Sequence, residues 1–426
     1  MRRFVIFTTS ILLVANTLYA ERMDDQNTIT HANELFKQGK FAEAKAVYTE
    51  IANEEPDNYD AVLALGNISL YENSLEESDK WLQKAIELSP GDDTPKALLA
   101  EAYYRRDMFG QAAPLFREVG NGPMAEKLQY LSNKTPYHIE SDIDITATEF
   151  VQTDPLPIVK MRINGSEEAL FIIDTGGWEL ILESSFADSI GAKKFGGRLA
   201  TYAGGMQDST FHGAVDQVKI GDFIVRNVPV HINNSPKGMA ARMEMPIRGV
   251  IGTVFLYHFI FTLDYPNDQL ILQKKTEDNI RQMKSLAKTE DNIVIPFWMS
   301  GDHIIVAWGT VNESAPMLFF VDTGLAGGGF VGTDKTVKEA NIKLPEESAE
   351  GVGGGGKVSV KRAIVDEVTL GEAREENVVG IFGAAPNLGE RFGYEIGGIV
   401  SHGFFRSYKL TFDFTTMNLI LKRSAG

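Results

Sequence analysis

From about residue 30 to residue 131, apolar side chains return every three or four positions, the spacing that lines one face of a helix. The stretches come in pairs. Ala32-Asn33-Glu34-Leu35-Phe36 is followed by Phe41-Ala42-Glu43-Ala44, and Ala64-Leu65-Gly66-Asn67 by Leu75-Glu76-Glu77-Ser78. A third pair runs from Ala97 to Tyr104 and from Phe109 to Ala113. Pro56, Pro90 and Pro123 follow at intervals of 34 and 33 residues, and a proline cannot extend a helix. The pattern predicts three helical pairs, each closed by its proline, with small residues where two helices pack closely.

The period changes at Val151. Ile158-Val159-Lys160-Met161-Arg162-Ile163 runs into Asn164-Gly165, a strand ending in a tight turn, and Ala169–Ile173 is the returning strand. The polar stretch 133–150 reads as a linker. The second half also repeats itself. Phe171-Ile172-Ile173-Asp174-Thr175-Gly176 recurs as Phe319-Phe320-Val321-Asp322-Thr323-Gly324, so Asp174 and Asp322 lie 148 positions apart. Gly249 to Leu256 is echoed by Gly398 to Phe405, and Phe261 to Tyr265 by Leu410 to Phe414. Landmarks in the same order at a near-constant offset imply two β lobes of similar fold. The charged stretch 275–292 between them reads as a solvated connector, and Lys-Thr-Glu-Asp-Asn-Ile occurs in it at Lys275 and again from Lys288.

Composition narrows the function. With 426 residues the chain exceeds what one hydrophobic core organises. A net charge of −17 argues against nucleic acid or an anionic membrane as partner. There is no cysteine, which excludes disulfides, thiolate zinc sites and a cysteine nucleophile. Met1-Arg2-Arg3, the apolar run Phe4 to Tyr19 and the small Ala20 read as a signal peptide over residues 1–20, which predicts export to a bacterial periplasm or beyond. Its removal takes Arg2 and Arg3 away and moves the charge from −17 to −19. No later stretch reads as a membrane span, so no stable membrane insertion is expected after cleavage.

The helical half resembles the tetratricopeptide repeat, in period, prolines and small positions together. That resemblance implies a curved stack that binds a peptide or protein. The region from Val151 to Lys422 resembles retropepsin-like and pepsin-like aspartic proteases in single-chain form: apolar strand, Asp-Thr-Gly, glycine-bearing hairpin, then an apolar segment ending in glycine, all used twice. It departs from that pattern at Ser401, which stands where lobe one has Gly252, and at Leu325, which follows the second Asp-Thr-Gly. The expected organisation is multidomain. An all-α tetratricopeptide-repeat solenoid (29–132) and a linker (133–150) precede a mainly-β bilobal aspartic protease fold, with lobe one at 151–274, a connector at 275–292 and lobe two at 293–424.

The resemblance implies hydrolysis of a peptide bond by water, with Asp174 and Asp322 as catalytic residues. Two carboxylates held close cannot both stay ionised, so one keeps a proton and the pair can act as base and acid together. Thr175, Gly176, Thr323 and Gly324 would support the pair, the threonines by hydrogen bonds across the lobes. Tyr202, Gly204 and Gly205 in lobe one and Gly353 and Gly354 in lobe two would form flaps over the substrate. Gly351 to Lys357 also matches a phosphate loop formally. Val358 stands where a magnesium-binding hydroxyl belongs, and the following residues alternate like a strand, so the match is rejected. The seven histidines show no metal-ligand spacing, and Gly-x-Ser-x-Gly is absent at Ser401-His402, where Ile399 stands in the place of the first glycine. No cofactor or metal is expected. The expected partners are a peptide or protein substrate and a protein recruited by the repeats. The rival expectation is a catalytically silent peptide-binding adaptor, favoured by Leu325 and Ser401.

Overall fold

The computed structural model of the chain describes residues 28–201, 207–353, 356–384, 388 and 392–424. The segment read as a signal peptide lies outside them. A helical stack comes first: α1 (28–37), α2 (Phe41–Glu54), α3 (Tyr59–Tyr71), α4 (Leu75–Leu88), α5 (Thr94–Arg105), α6 (Phe109–Glu118) and α7 (Gly122–Leu131). Asn58 caps α3, its side chain accepting from the Ala61 N–H. Gly66 lets α3 and α4 close up, since a methyl group there would stand 2.6 Å from Leu82 Cδ2. Pro56 and Pro90 follow α2 and α4 as the pattern predicts, but Pro123 sits in the first turn of α7. A proline needs no N–H partner in that turn, so it starts a helix as readily as it stops one.

The turn inside each helical pair contains one left-handed residue: Gly39 (φ 76°), Asn73 (φ 57°) and Asp107 (φ 57°), 34 positions apart. Left-handed backbone favours glycine, asparagine and aspartate, the three types found there. All three turns dock on the β region. Gly39 faces Leu318, where an added methyl group would stand 2.2 Å from Cδ1. Asn73 Nδ2 donates to the Phe414 carbonyl at 3.2 Å, and Tyr257 donates to Asn73 Oδ1 at 3.0 Å. Asp107 Oδ1 lies 3.2 Å from His258 Nε2.

The two β lobes share one topology. In lobe one, Ala169–Ile173 runs parallel to Ile247–Ile251. That strand lies antiparallel to Leu180–Glu183, which runs parallel to Phe223–Asn233. In lobe two, Met317–Asp322, Gly398–Ser401, Phe330–Gly332 and Ala373–Phe382 repeat the order and all three orientations. Each belongs to an eight-stranded sheet, and a six-stranded sheet joins the lobes. In that joining sheet Ile260–Asp264 pairs with Tyr408–Asp413, Phe261 stacks on Phe412 at 4.4 Å, and Thr262 bonds Thr411 at 2.7 Å.

Two connecting segments differ from expectation. The stretch 133–150 is not a free linker: His138–Glu140 pairs with Phe223–Asn233, and Ile145–Glu149 completes the joining sheet beside Gln269–Gln273. Its alternation of Ile145, Ala147 and Glu149 with Thr146 and Thr148 is too polar to announce a strand, because the strand lies at the sheet's edge. The connector 275–292 holds a helix, Glu277–Leu286, whose Asn279 and Met283 are buried. Thr276 caps it by accepting from the Asn279 N–H, so the first copy of the duplicated hexapeptide starts a helix.

Two cores result. One fills both lobes and reaches into α4 to α7. The other lies on lobe two, where Val306, Leu318, Phe320, Val331 and Ile399 meet Leu35, Phe41, Tyr48 and Tyr71 of the repeats. Phe41 is fully buried, and burying such a ring contributes about 1.5–3 kcal/mol.

Candidate active site

Each Asp-Thr-Gly begins where a buried strand gives out. Ile172 and Ile173 pair with Val250 and Ile251, and the Asp174 N–H still donates to the Ile251 carbonyl at 3.0 Å. In lobe two Val321 and Asp322 pair with Val400 and Ser401. The joining sheet then brings the two turns face to face.

The threonines interlock. The Thr175 N–H donates to Thr323 Oγ1 at 3.0 Å, and the Thr323 N–H donates to Thr175 Oγ1 at 3.0 Å. Each hydroxyl passes its own proton to the opposite strand: Thr175 to the Val321 carbonyl at 2.9 Å, Thr323 to the Ile173 carbonyl at 3.4 Å. Both threonines are fully buried. Four bonds among four buried residues leave little freedom for one lobe to move against the other here.

The carboxylates meet over this lock and hydrogen-bond each other. A methyl group on Gly176 would stand 2.4 Å from Asp322 Cγ, and one on Gly324 2.0 Å from Asp174 Cγ. Each glycine therefore makes room for the carboxylate of the other lobe. Asp174 Oδ1 accepts from the N–H groups of Gly176 at 2.8 Å and Gly177 at 3.1 Å. Asp322 Oδ1 accepts from the Gly324 N–H at 2.9 Å. Both acids are pushed up from the ordinary carboxylate range by burial. For Asp174 the bond from Asp322, the two N–H groups and the charge of His303 pull back. For Asp322 the charge of Asp174 adds to burial, and its acidity falls further. A carboxylate pair that ionises one member first is the consequence.

Of the remaining candidates, Gly353 pairs with Gly356 in the lobe-two hairpin formed by Ala349–Gly353 and Gly356–Leu370. That hairpin is strand on both sides, in keeping with the rejected phosphate loop. Gly354 lies outside the described residues, as do Tyr202, Gly204 and Gly205. The strands leading to them, Lys193–Thr201 and Gln207–Ile220, form an antiparallel hairpin in lobe one. Leu325 is half-buried and packs into the core shared with the repeats. Ser401 is fully buried and its hydroxyl donates to the Gly328 carbonyl at 2.6 Å. Among the described residues, no group of three His, Cys, Asp or Glu side chains is placed to hold a metal ion.

Several neighbours of the pair escaped the sequence reading. Glu179, five residues after Asp174, is fully buried. Its Oε1 accepts from Lys127 Nζ at 2.5 Å and from the Tyr104 hydroxyl, both in the repeats. Its carbonyl and that of Trp178 accept the N–H groups of Gly252 at 3.2 Å and Val254 at 2.9 Å. A carboxylate followed at once by Leu180-Ile181-Leu182 was the available signal, but its partners are more than 50 residues away. Trp178 itself lies 5.9 Å from His212 and 5.3 Å from His231, ring to ring. Burial lowers both histidines, to about 2 and about 3, so they are neutral.

A family model described as aspartyl protease matches residues 159–255 and 307–392. A tetratricopeptide-repeat model matches residues 29–93, the first two helical pairs. No curated protein matches the chain. The repeats and the aspartyl protease region stand in the order that the sequence patterns imply.

Proposed function

We propose that the chain is an exported aspartic endopeptidase in which Asp174 and Asp322 together activate one water molecule. The observation that carries this reading is the contact of two carboxylates across interlocked threonines, each in a space that a glycine of the opposite lobe leaves open. Main-chain N–H groups hold both carboxylates, and the burial of Asp322 beside the charge of Asp174 favours the proton on Asp322. Asp174 then takes a proton from water as its oxygen bonds to the peptide carbonyl carbon. Asp322 gives its proton to the carbonyl oxygen, and the tetrahedral species is neutral. The proton held by Asp174 passes to the amine as the carbon–nitrogen bond breaks, and the new hydroxyl returns a proton to Asp322. No covalent enzyme intermediate is formed, and proton transfer of this kind contributes about 10²–10⁴-fold.

Substrate would lie between the lobes, under the two hairpins, whose strands support a flap on each side. Recruitment of a protein by the repeats would use the faces turned away from the β lobes.

The test is incubation of the mature protein with an unstructured protein between pH 3 and 7, with and without pepstatin. Cleavage should appear and should fall at least a thousandfold in Asp174→Asn and in Asp322→Asn, with the circular dichroism spectrum unchanged. Undiminished cleavage in either variant would defeat the assignment. Binding without cleavage would select the adaptor reading instead, for which Leu325 beside the second Asp-Thr-Gly is the favouring feature.

A further inference from the structure

The repeats do more than adjoin the β region. Each helical pair opens with one of α1, α3 and α5. Here equivalent positions near the ends of those helices, Lys37, Tyr71 and Arg105, all face the chain's own lobe two. The Lys37 carbonyl accepts the Glu395 N–H at 2.7 Å. Tyr71 packs on Phe41 at 5.2 Å, and Phe41 packs on Trp298 at 5.8 Å. Arg105 is nearly fully buried. Its guanidinium donates to the Leu70 carbonyl at 2.8 Å, to the Met299 carbonyl at 3.2 Å and to the Gly301 carbonyl. The segment Trp298–Gly301 is therefore held like a bound peptide, by a cation on its main-chain oxygens and aromatic rings around Trp298.

That segment is one arm of a hairpin, with Trp298–Ser300 paired to Ile304–Val311. Its other arm pairs with Met317–Asp322, the strand that ends at Asp322. One residue earlier in α5, Tyr104 reaches the other lobe and bonds Glu179, together with Lys127 of α7. Glu179 ends the loop whose Gly176 and Gly177 N–H groups hold the Asp174 carboxylate. Adjacent residues of one repeat helix thus grip two segments, one leading to each aspartate. The ion pair between Lys127 and Glu179 is completely buried, and such pairs are better at fixing a register than at adding stability.

We propose that the repeat region is a positioning brace of the carboxylate pair: the ends of its first helices hold Trp298–Gly301 of the same chain, and Tyr104, Lys127 and Arg105 are positioning residues for the two aspartates. This rests on the peptidase reading for its catalytic consequence but not for its structural one. A misplacement of about 1 Å in a reacting group costs on the order of a hundredfold in rate, so loosening either grip should be read directly in turnover.

The experiment uses the full chain carrying Tyr104→Phe or Arg105→Lys, with Glu87→Ala on the exposed side of α4 as control. Tyr104→Phe keeps the ring and removes one bond to Glu179. Arg105→Lys keeps the charge and removes the two-nitrogen head that reaches Leu70 with Nη1 and Met299 and Gly301 with Nη2. Amide hydrogen exchange followed by mass spectrometry should quicken about tenfold in 174–179 for the first and in 298–303 for the second, with α2 and α4 unchanged. On an unstructured protein substrate kcat, normalised to the folded fraction measured by circular dichroism, should fall about tenfold in each while KM stays within about twofold. The control should match the parent in both measurements. Folded variants with parental exchange in both segments and parental kcat would overturn the proposal. If Arg105→Lys does not fold, Tyr104→Phe decides alone. If the parent cleaves nothing, the peptidase reading fails, and the exchange measurement still decides whether the repeats hold these segments.

Discussion

The two lobes have the same strand order and trade the same threonine bonds, yet they treat their aspartates differently. After Asp174 come Gly177, Trp178 and Glu179, a loop tied down by a buried charge from the repeats. After Asp322 come Leu325, Ala326 and three glycines, Gly327 to Gly329, with a serine hydroxyl bonded to one of their carbonyls. Both aspartates accept main-chain N–H groups, but the charge of Asp174 adds to the burial of Asp322 and raises its carboxyl further. The difference teaches that a duplicated fold can place two like groups together and still make them chemically unlike. Symmetry supplies the contact, and the loops beyond it supply the inequality that acid and base roles require.

The strongest way to break the comparison is at the point where the lobes are most alike. Gly176→Ala and Gly324→Ala each put a methyl group inside the opposite carboxylate, 2.4 Å and 2.0 Å from its Cγ. Neither aspartate can swing away without losing the N–H bonds that hold it. Each variant should lose more than about a hundredfold in kcat, because the reacting groups are displaced by an ångström or more. Steady-state kinetics checks this, and a variant within tenfold of the parent would show that the pair tolerates separation.

A second test exchanges a position at which the lobes differ. Gly252 and Ser401 share nearly the same backbone, φ −86° and ψ 171° against φ −113° and ψ 177°. Conformation therefore does not explain the difference, and neighbours do. A methyl group on Gly252 would stand 2.3 Å from the Trp178 carbonyl oxygen and 2.4 Å from that of Glu179, both fixed main-chain atoms. Gly252→Ser should cost about 3 kcal/mol of stability through overpacking. Ser401→Gly should cost about 1 kcal/mol, the worth of one lost hydrogen bond. Denaturant unfolding measures both, and equal costs would mean that the two loops are interchangeable.

These comparisons also show what the chain's pattern could and could not announce. The pair Asp174 and Asp322, the strand before each and the repeat of 34 residues were legible because each is a local pattern used more than once. Ile145–Glu149 was missed because an edge strand needs only half its side chains apolar, and here even those are few. Glu179, Lys127 and Arg105 were missed for a different reason. A buried charge shows in sequence only as a charge, and its meaning lies in a partner that folding brings from another domain. Gly39, Asn73 and Asp107 were legible in principle, since three residues that tolerate left-handed backbone recur at the repeat's own period. Their docking role follows only from the surface they meet.

The smallest expected effect tests the inequality between the aspartates without any substrate. Asp322 is raised well above its ordinary 3.8 by burial and by Asp174. A raised carboxyl keeps its proton in the folded state at pH values where the unfolded chain has already released it. The folded protein therefore binds more protons than the unfolded one above about pH 4, and stability falls as pH rises from there toward the folded value. Asp322→Asn removes that penalty, since an amide has no proton to lose. It should stabilise the protein by about 0.5–2 kcal/mol at pH 7, in the range found where a strained functional group is neutralised. The gain should vanish near pH 3.5, where the parent's Asp322 is protonated in both states. Asp174→Asn should gain less, because its carboxyl is raised less than that of Asp322. Thermal unfolding of the three proteins at pH 3.5 and 7 measures the sequence of effects. A larger gain for Asp174→Asn would place the shared proton on the other lobe and reverse the acid and base roles.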